Sequence, residues 1–475
     1  MLKNVGKIAL AVIAAYLVYI IATAIVPYIR PKSVRQEFAD SVDVGKYYGE
    51  QPCADRVALV EAPLESLDTR IPMLDGAKET IDISYYAIHM GQSTDQFLGA
   101  IVRAADRGVK VRILLDGFFG GLTNSNKDYA VAIGAHPNIS LRLYNCCNAL
   151  KPWTWNGRLH DKYIIIDDRL LLLGGRNIGD KYFGPEGYTG KLSIDRDVLV
   201  YNSQWREGDS NSAIGQVRDY MDGLWDSELV KEPFAKDTKA GAEKRAELLR
   251  AVEAVYPEDE TTFGYNDEQL ESWTYPANKV TLLHNDTNIG VKEPKLGYVM
   301  GRIMLEAKES VMLQSPYVVL DRELEQLLTE LGQKDIDYQI LTNSMASSPN
   351  LPAFSAYMGD KKEVLATGAR LWEFQSRDAI HAKTYVVDER MSLVGSYNLD
   401  PRSAYIDTEL MLAIDSEGFA QHLKDVQDHY KAHSLEVGKD GKYIPGDMEA
   451  APVNGVHSLL LHILSLPIRL VKYLV

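Results

Sequence analysis

Hydrophobic positions fall into three kinds of run along this chain, and each kind predicts a different element. Ile8 to Val26 is an uncharged stretch of nineteen residues. As a helix it would reach about 28 Å, the thickness of a bilayer's hydrocarbon core. Elsewhere, apolar runs of strand length alternate with segments of helical period. Ile81 to Tyr86, Asp95 to Arg107 and Val109 to Asp116 form one such series; Val311 to Tyr317, Arg322 to Leu331 and Tyr338 to Asn343 form a second. Strand, helix, strand is the βαβ pattern, so the fold class expected is α/β, with mixed, mostly parallel sheets flanked by helices. The third kind of run is the C-terminal stretch Val456 to Val475, broken by His457, His462, Pro467, Arg469 and Lys472. It suits a helix lying in a membrane interface better than one crossing it, with a helix docked on the protein's own surface as the equal alternative.

Lys3 and Lys7 precede the first run, and Arg30, Lys32 and Arg35 follow it. Basic residues on both sides leave its orientation undecided. Ala22-Thr23-Ala24 has the small-residue pattern of a signal cleavage site. The run is long for a cleaved signal, however, and continues past that site, so residues 1–35 are expected to be an uncleaved, single-pass anchor. A buried core helix is the remaining reading.

The strand-rich series occurs twice, and so does a motif. His160-Asp161-Lys162 through Asp167 and His381-Ala382-Lys383 through Asp388 both fit H-x-K-x-x-x-x-D. They are offset by 221 residues, and the same offset carries Gly174 onto Gly395 and Asn177 onto Asn398 with no gap across eighteen positions. The chain therefore reads as an anchor (1–35), a first lobe (36–229), a charged connector with the acidic run Pro257-Glu258-Asp259-Glu260 (230–278), a second lobe (279–450) and an apolar tail (451–475). Within each motif a turn at Asp167-Asp168-Arg169 or Asp388-Glu389-Arg390 separates two apolar runs, which predicts a hairpin inside each sheet.

Side chains two apart on a strand share a face, so each copy presents an imidazole beside an ammonium. Two such copies face to face suit in-line displacement at a phosphodiester. One of His160 and His381 serves as nucleophile and the other as acid, while Lys162 and Lys383 neutralise the equatorial oxygens. Asn177, Asn398, Gly175 and Ser396 are candidate phosphate-binding groups. Gly174, Gly175 and Gly395 carry an equal reading as turn formers. A carboxylate on each imidazole's far nitrogen would hold it in place. Asp197 and Glu409, each on the apolar strand after its motif, are the candidates on position alone. Asp167 and Asp388 complete the catalytic motif, but at the turn they read as residues that fix the hairpin.

These paired motifs, with Gly-Gly-Arg-Asn at 174–177 and Gly-Ser-Tyr-Asn at 395–398, resemble the phospholipase D superfamily. The string Leu173 to Gly184, with Asn398-Leu399-Asp400-Pro401-Arg402-Ser403, is similar to bacterial cardiolipin synthases, the C-type above all. The resemblance implies two pseudo-twofold-related lobes around one active site, with no cofactor and no metal requirement. It also implies a covalent phosphohistidine on His160 and a general acid in His381. The expected substrates are phospholipids, phosphatidylglycerol among them, at the bacterial inner membrane. Transfer would give cardiolipin; hydrolysis of a lipid or, less readily, of nucleic acid is the alternative. The first copy departs from the pattern in having Gly175 where the second has Ser396.

Charge narrows the choice. Among 475 residues, 51 Lys and Arg face 66 Asp and Glu, a net −15 that opposes a polyphosphate backbone, and no nucleic-acid partner is expected. Cys53, Cys146 and Cys147 cannot all pair and indicate neither a disulfide framework nor a thiolate metal site. Oligomeric state is not written in the sequence.

Overall fold

The computed structural model describes residues 2–475 except 209–210, 234–235, 258–263 and 349. The acidic run at 258–260 lies outside the described residues. Two sheets dominate. The first runs Tyr275–Pro276, Asp55–Val60, Asp197–Asn202, Leu170–Gly174, Lys162–Ile166, Thr80–Tyr85, Lys110–Asp116, Ile139–Tyr144, Val230–Lys231. The second repeats that order without the first member: Lys279–His284, Leu410–Asp415, Met391–Gly395, Lys383–Val387, Ser310–Gln314, Asp337–Asn343, Arg370–Phe374, Ser434–Val437.

The sheets are mixed, but the expectation that they are mostly parallel needs correcting. Parallel pairing is confined to three neighbouring strands in each lobe. Successive strands of each triplet are joined by helical crossovers such as Gln92–Asp106. The motif hairpin and the strands beside it pair antiparallel, because a tight turn reverses the chain. Every residue of Lys162–Ile166 and Lys383–Val387 is buried, since each sheet is covered on both faces. Helices Pro63–Gly76 and Gln92–Asp106 cover the outer face of the first sheet; Lys295–Leu305 and Leu351–Ala366 cover that of the second. The inner faces meet through Tyr163, Ile165, Val386, Val394 and Leu412, flanked by helices Ala213–Trp225 and Glu417–Ala432.

Two expected boundaries move. Residues 36–48 pack on the second lobe: Phe38 and Tyr47 join its core, and Asp415 accepts the Gly49 N–H at 2.9 Å. The first lobe therefore begins near strand Asp55–Val60. The connector helix Lys239–Glu253 is a layer of the first lobe, not a spacer. Its Leu248 and Val252, one turn apart, are wholly buried against Gln92–Asp106. Gly99 permits this approach, since a Cβ there would overlap the Leu248 carbonyl.

At the N-terminus, Asn4–Ile29 is the one stretch among the described residues long and apolar enough to cross a membrane, with mean hydropathy 2.6. At the other end, helix Gly455–Ile468 buries Leu461 and lies along Leu351–Ala366, leaving Leu459, Ile463 and Leu466 exposed. One side of the tail is thus docked on the protein's own surface and the other is exposed. The three cysteines are free thiols.

Candidate active site

Each histidine sits just ahead of the strand that carries its lysine, where the two lobes touch. Leu159 forms a parallel bridge to Thr408, so the next residues, His160 and Glu409, come side by side. Ala379–Ile380 pairs in parallel with Ser193–Ile194, and the next residues, His381 and Asp195, come side by side in turn. Glu409 places both carboxylate oxygens 2.9 Å from His160 Nδ1, and Asp195 Oδ2 lies 2.5 Å from His381 Nδ1. Each imidazole is therefore held by the opposite lobe, and its Nε2 is the nitrogen left for chemistry.

The backbone fixes the same geometry. The His160 N–H donates to Thr408 Oγ1 at 3.0 Å, and the His381 N–H to the Ile194 carbonyl at 2.6 Å. Lys162 donates to the carbonyl of His160, and Lys383 to that of His381, with Lys383 Nζ also 3.3 Å from His381 Nε2. Lys162, Lys383, Asp195 and Glu409 are each at most 1% exposed. Burial, with Lys162 beside it, holds the His160 imidazole well below the usual histidine value. Burial and Lys383 bring His381 down to about 4 against the pull of Asp195. Burial alone would raise Asp195, but Lys383 and His381 outweigh it and hold that carboxyl well below its ordinary range. Glu409 is pushed by burial up to about 7, opposed by Lys162, Ser396 and Ser403. Burial brings Lys162 down to about 7.

Several sequence candidates take other positions. Asp197 does not reach a histidine; its Oδ2 accepts from Ser66, Arg70 and Arg176. The sheet register explains the offset. Gly174 pairs with Asp197 where Gly395 pairs with Met411, so the counterpart of Glu409 is Asp195, two residues earlier. Asp167 and Asp388 lie at the far end of the strands, about 17 Å along from the lysines. Each accepts three consecutive backbone N–H groups, those of residues 78–80 and 308–310, at 2.8 to 3.0 Å. Both also hold φ of 51°. They fix the turn and the entry to the neighbouring strand.

Gly175 makes room for a carboxylate: a Cβ there would overlap Asp195 Oδ1. Ser396 donates to Glu409, as does Ser403 at 2.7 Å. Asn177 donates its amide to Tyr182 Oη at 3.1 Å, and Asn398 approaches Ser403 Oγ at 3.4 Å. Among the described residues, the side-chain carbonyl of each asparagine has no hydrogen-bond partner, which leaves each with an unused acceptor. Sequence reasoning passed over Asp195, Ser403, Thr408 and Tyr86, whose ring stands edge-on to His160 at 4.9 Å. Ser403 was within reach, lying in the string Asn398 to Ser403.

Two copies of one strand order, each lending a carboxylate to the other's H-x-K motif, define a phospholipase D-type fold with one composite site. The family model described as "Cardiolipin synthase, PLD-like domain" matches residues 71–225 and 300–430. The chain belongs to that family and is a phospholipase D-type phosphatidyltransferase. It is 27% identical to cardiolipin synthase C of Escherichia coli K12 over 415 residues, 78% of this chain and 84% of that one. It is 24% identical to cardiolipin synthase 1 of Staphylococcus aureus COL over 77% of this chain and 65% of the relative. Its fold is similar to the crystal structure of phosphatidylserine synthase from Haemophilus influenzae Rd KW20. The TM-score is 0.60 at 16% identity, covering 88% of this chain and 95% of that one.

Proposed function

We propose that this chain makes cardiolipin from phosphatidylglycerol and a second phospholipid through a phosphohistidine. The observation that carries the reading is the reciprocal holding of each imidazole by a carboxylate of the other lobe. His160, kept neutral by burial, attacks phosphorus through Nε2, and the bond from phosphorus to the leaving headgroup oxygen breaks. His381 gives that oxygen its proton, with the ionised Asp195 opposing the burial and the Lys383 charge that disfavour its imidazolium. The hydroxyl of an acceptor phosphatidylglycerol then loses its proton to His381 and attacks phosphorus. The N–P bond breaks and His160 is restored. With two phosphatidylglycerols the products are cardiolipin and glycerol. Lys162 and Lys383 neutralise the phosphoryl oxygens throughout, and Asn177, Asn398 and the backbone at Gly175 and Ser396 line the phosphate.

The same reading makes Asn4–Ile29 a single-pass anchor in the bacterial inner membrane. The test is incubation of purified protein with phosphatidylglycerol, with and without phosphatidylethanolamine, followed by lipid analysis. Cardiolipin is the expected product, and an acid-labile phosphoryl adduct on His160 the expected intermediate. Phosphatidic acid with free headgroup and no cardiolipin would falsify transfer and leave hydrolysis.

A further inference from the structure

The anchor helix does not leave the catalytic body at its end. From Ala24 onward one side of it is packed on the protein: Ala24 and Tyr28 are 5% and 3% exposed, and Asn156 donates to the Ala24 carbonyl at 2.6 Å. Before that the helix stands free, with Val5, Ile8, Leu10, Ile13 and Leu17 more than half exposed. The part from Asn4 to Tyr19 is about 24 Å long, most of the way across a hydrocarbon core. Its last turn carries two tyrosines that bond to one loop of the catalytic body. Tyr16 Oη donates to the Ala149 carbonyl at 2.6 Å and Tyr19 Oη to that of Leu150 at 3.1 Å. The Tyr19 ring meets Trp153 edge-on at 6.5 Å. Tyrosine and tryptophan gathered at the end of an apolar span are where an interfacial belt belongs.

What lies at that level is apolar and uncovered. Leu150 is 78% exposed and Trp153 43%; on the adjoining loop, Phe118 is 58% and Phe119 43%. The two loops leave the ends of neighbouring strands, Lys110–Asp116 and Ile139–Tyr144, and the Gly117 N–H donates to the Tyr144 carbonyl at 2.7 Å. They also lead to the reaction centre. Phe119 stacks on Tyr86 at 5.1 Å, and Tyr86 stands against His160. One carboxylate, that of Asp116, accepts the N–H groups of Phe118, Phe119 and Leu159, the residue before His160.

We infer that Phe118, Phe119, Leu150 and Trp153 form a lip that enters the outer part of the bilayer on which the chain is anchored. The lip sets the mouth of the His160 half-site at headgroup depth. The partner is a fluid phospholipid surface. A lipid then needs only to raise its phosphate past Tyr86, with its acyl chains still in the membrane, so the cost of extracting it into water is avoided. Four large exposed apolar side chains on two loops are otherwise a liability for a protein of this charge. The inference rests on the anchor reading but not on the reaction that follows.

The test uses the full chain in vesicles of phosphatidylcholine brominated at shallow or deep acyl positions. Tryptophan quenching is expected, strongest for shallow bromines, and Trp153→Phe should remove most of it; Trp155, half-buried, donates its ring N–H to the Asn148 carbonyl. Quenching that is absent, or unchanged in Trp153→Phe, overturns the lip whether or not the chain makes cardiolipin. In a second arm, Leu150→Asp should raise the ratio of KM on phosphatidylglycerol vesicles to KM on a monomeric short-chain phosphatidylglycerol by about tenfold. An unchanged ratio also overturns the inference. Cardiolipin formation failing while quenching behaves as expected would overturn only the transfer reading.

Discussion

The two lobes share a strand order but solve one problem in opposite ways. In the first, a short carboxylate, Asp195, leans over a glycine, Gly175, that gives it room, and the Arg196 N–H at 2.9 Å steadies it. In the second, a longer one, Glu409, stands over a serine, Ser396, and is braced by two hydroxyls. Reach and space compensate: the shorter side chain needs the bare backbone, and the longer one needs the braces. The electrostatic outcome differs accordingly. Asp195, beside Lys383 and His381, stays ionised, whereas burial brings Glu409 to about 7. An ionised partner opposes the burial that disfavours an imidazolium, and on the proposed reading this asymmetry gives the acid role to His381 and the nucleophile role to His160.

The most severe way to break this division is to remove an imidazole. His160→Ala and His381→Ala should each lower phosphatidyl transfer by about 10⁴-fold or more, with melting temperature unchanged. A nitrophenyl phosphodiester, whose leaving group needs no proton, should then separate them. His381→Ala should still release a burst of nitrophenol, and His160→Ala none. Removing charge but not shape comes next. Asp195→Asn should cost roughly 10³-fold or more at neutral pH, and Glu409→Gln less. The Glu409→Gln deficit should shrink further as pH falls through about 7, because the wild-type carboxyl then carries a proton as well; a deficit independent of pH contradicts the assigned environment.

Exchanging the supports tests the steric argument directly. Gly175→Ser, which drives Asp195 away, should cost about 100-fold, and Ser396→Gly, which loses one hydrogen bond to a charged group, about 10-fold. Equal effects would mean the lobes are interchangeable. Lys162 supplies a pH signature: kcat/KM should fall above about 7 as its ammonium deprotonates, and residual activity of Lys162→Arg should lack that limb because a guanidinium stays charged. Smallest for catalysis are Asp167→Asn and Asp388→Asn. Each should lower stability by about 1–3 kcal/mol by loosening its backbone N–H groups, with kcat per folded molecule unchanged.

Much of this was legible in the chain. The repeat located both hairpins, because strand pairing across a tight turn depends on local residues. The pairing across lobes was not legible. Taken in chain order, Glu409 follows His381, yet it serves His160, and no local pattern encodes which lobe a carboxylate faces. Asp197 was the natural choice for the other partner as the first strand residue. The seventeen residues between Asn177 and Asp195, against ten between Asn398 and Glu409, hide the equivalence that the strand register reveals. The direction of most strand pairs was missed for a related reason: βαβ spacing is visible in two strands per lobe and says nothing about the strands that follow the hairpin.

The stretch from Tyr28 to Tyr47, which follows the N-terminal apolar helix and beds on the second lobe, constrains how the molecule is made. Its seat includes Leu283, Val299 and Met411, which leave the ribosome roughly tens of seconds after it does. During that interval Phe38 and Tyr47 lack the second-lobe residues that cover them in the finished fold. This strap can therefore close only after the second lobe exists to receive it.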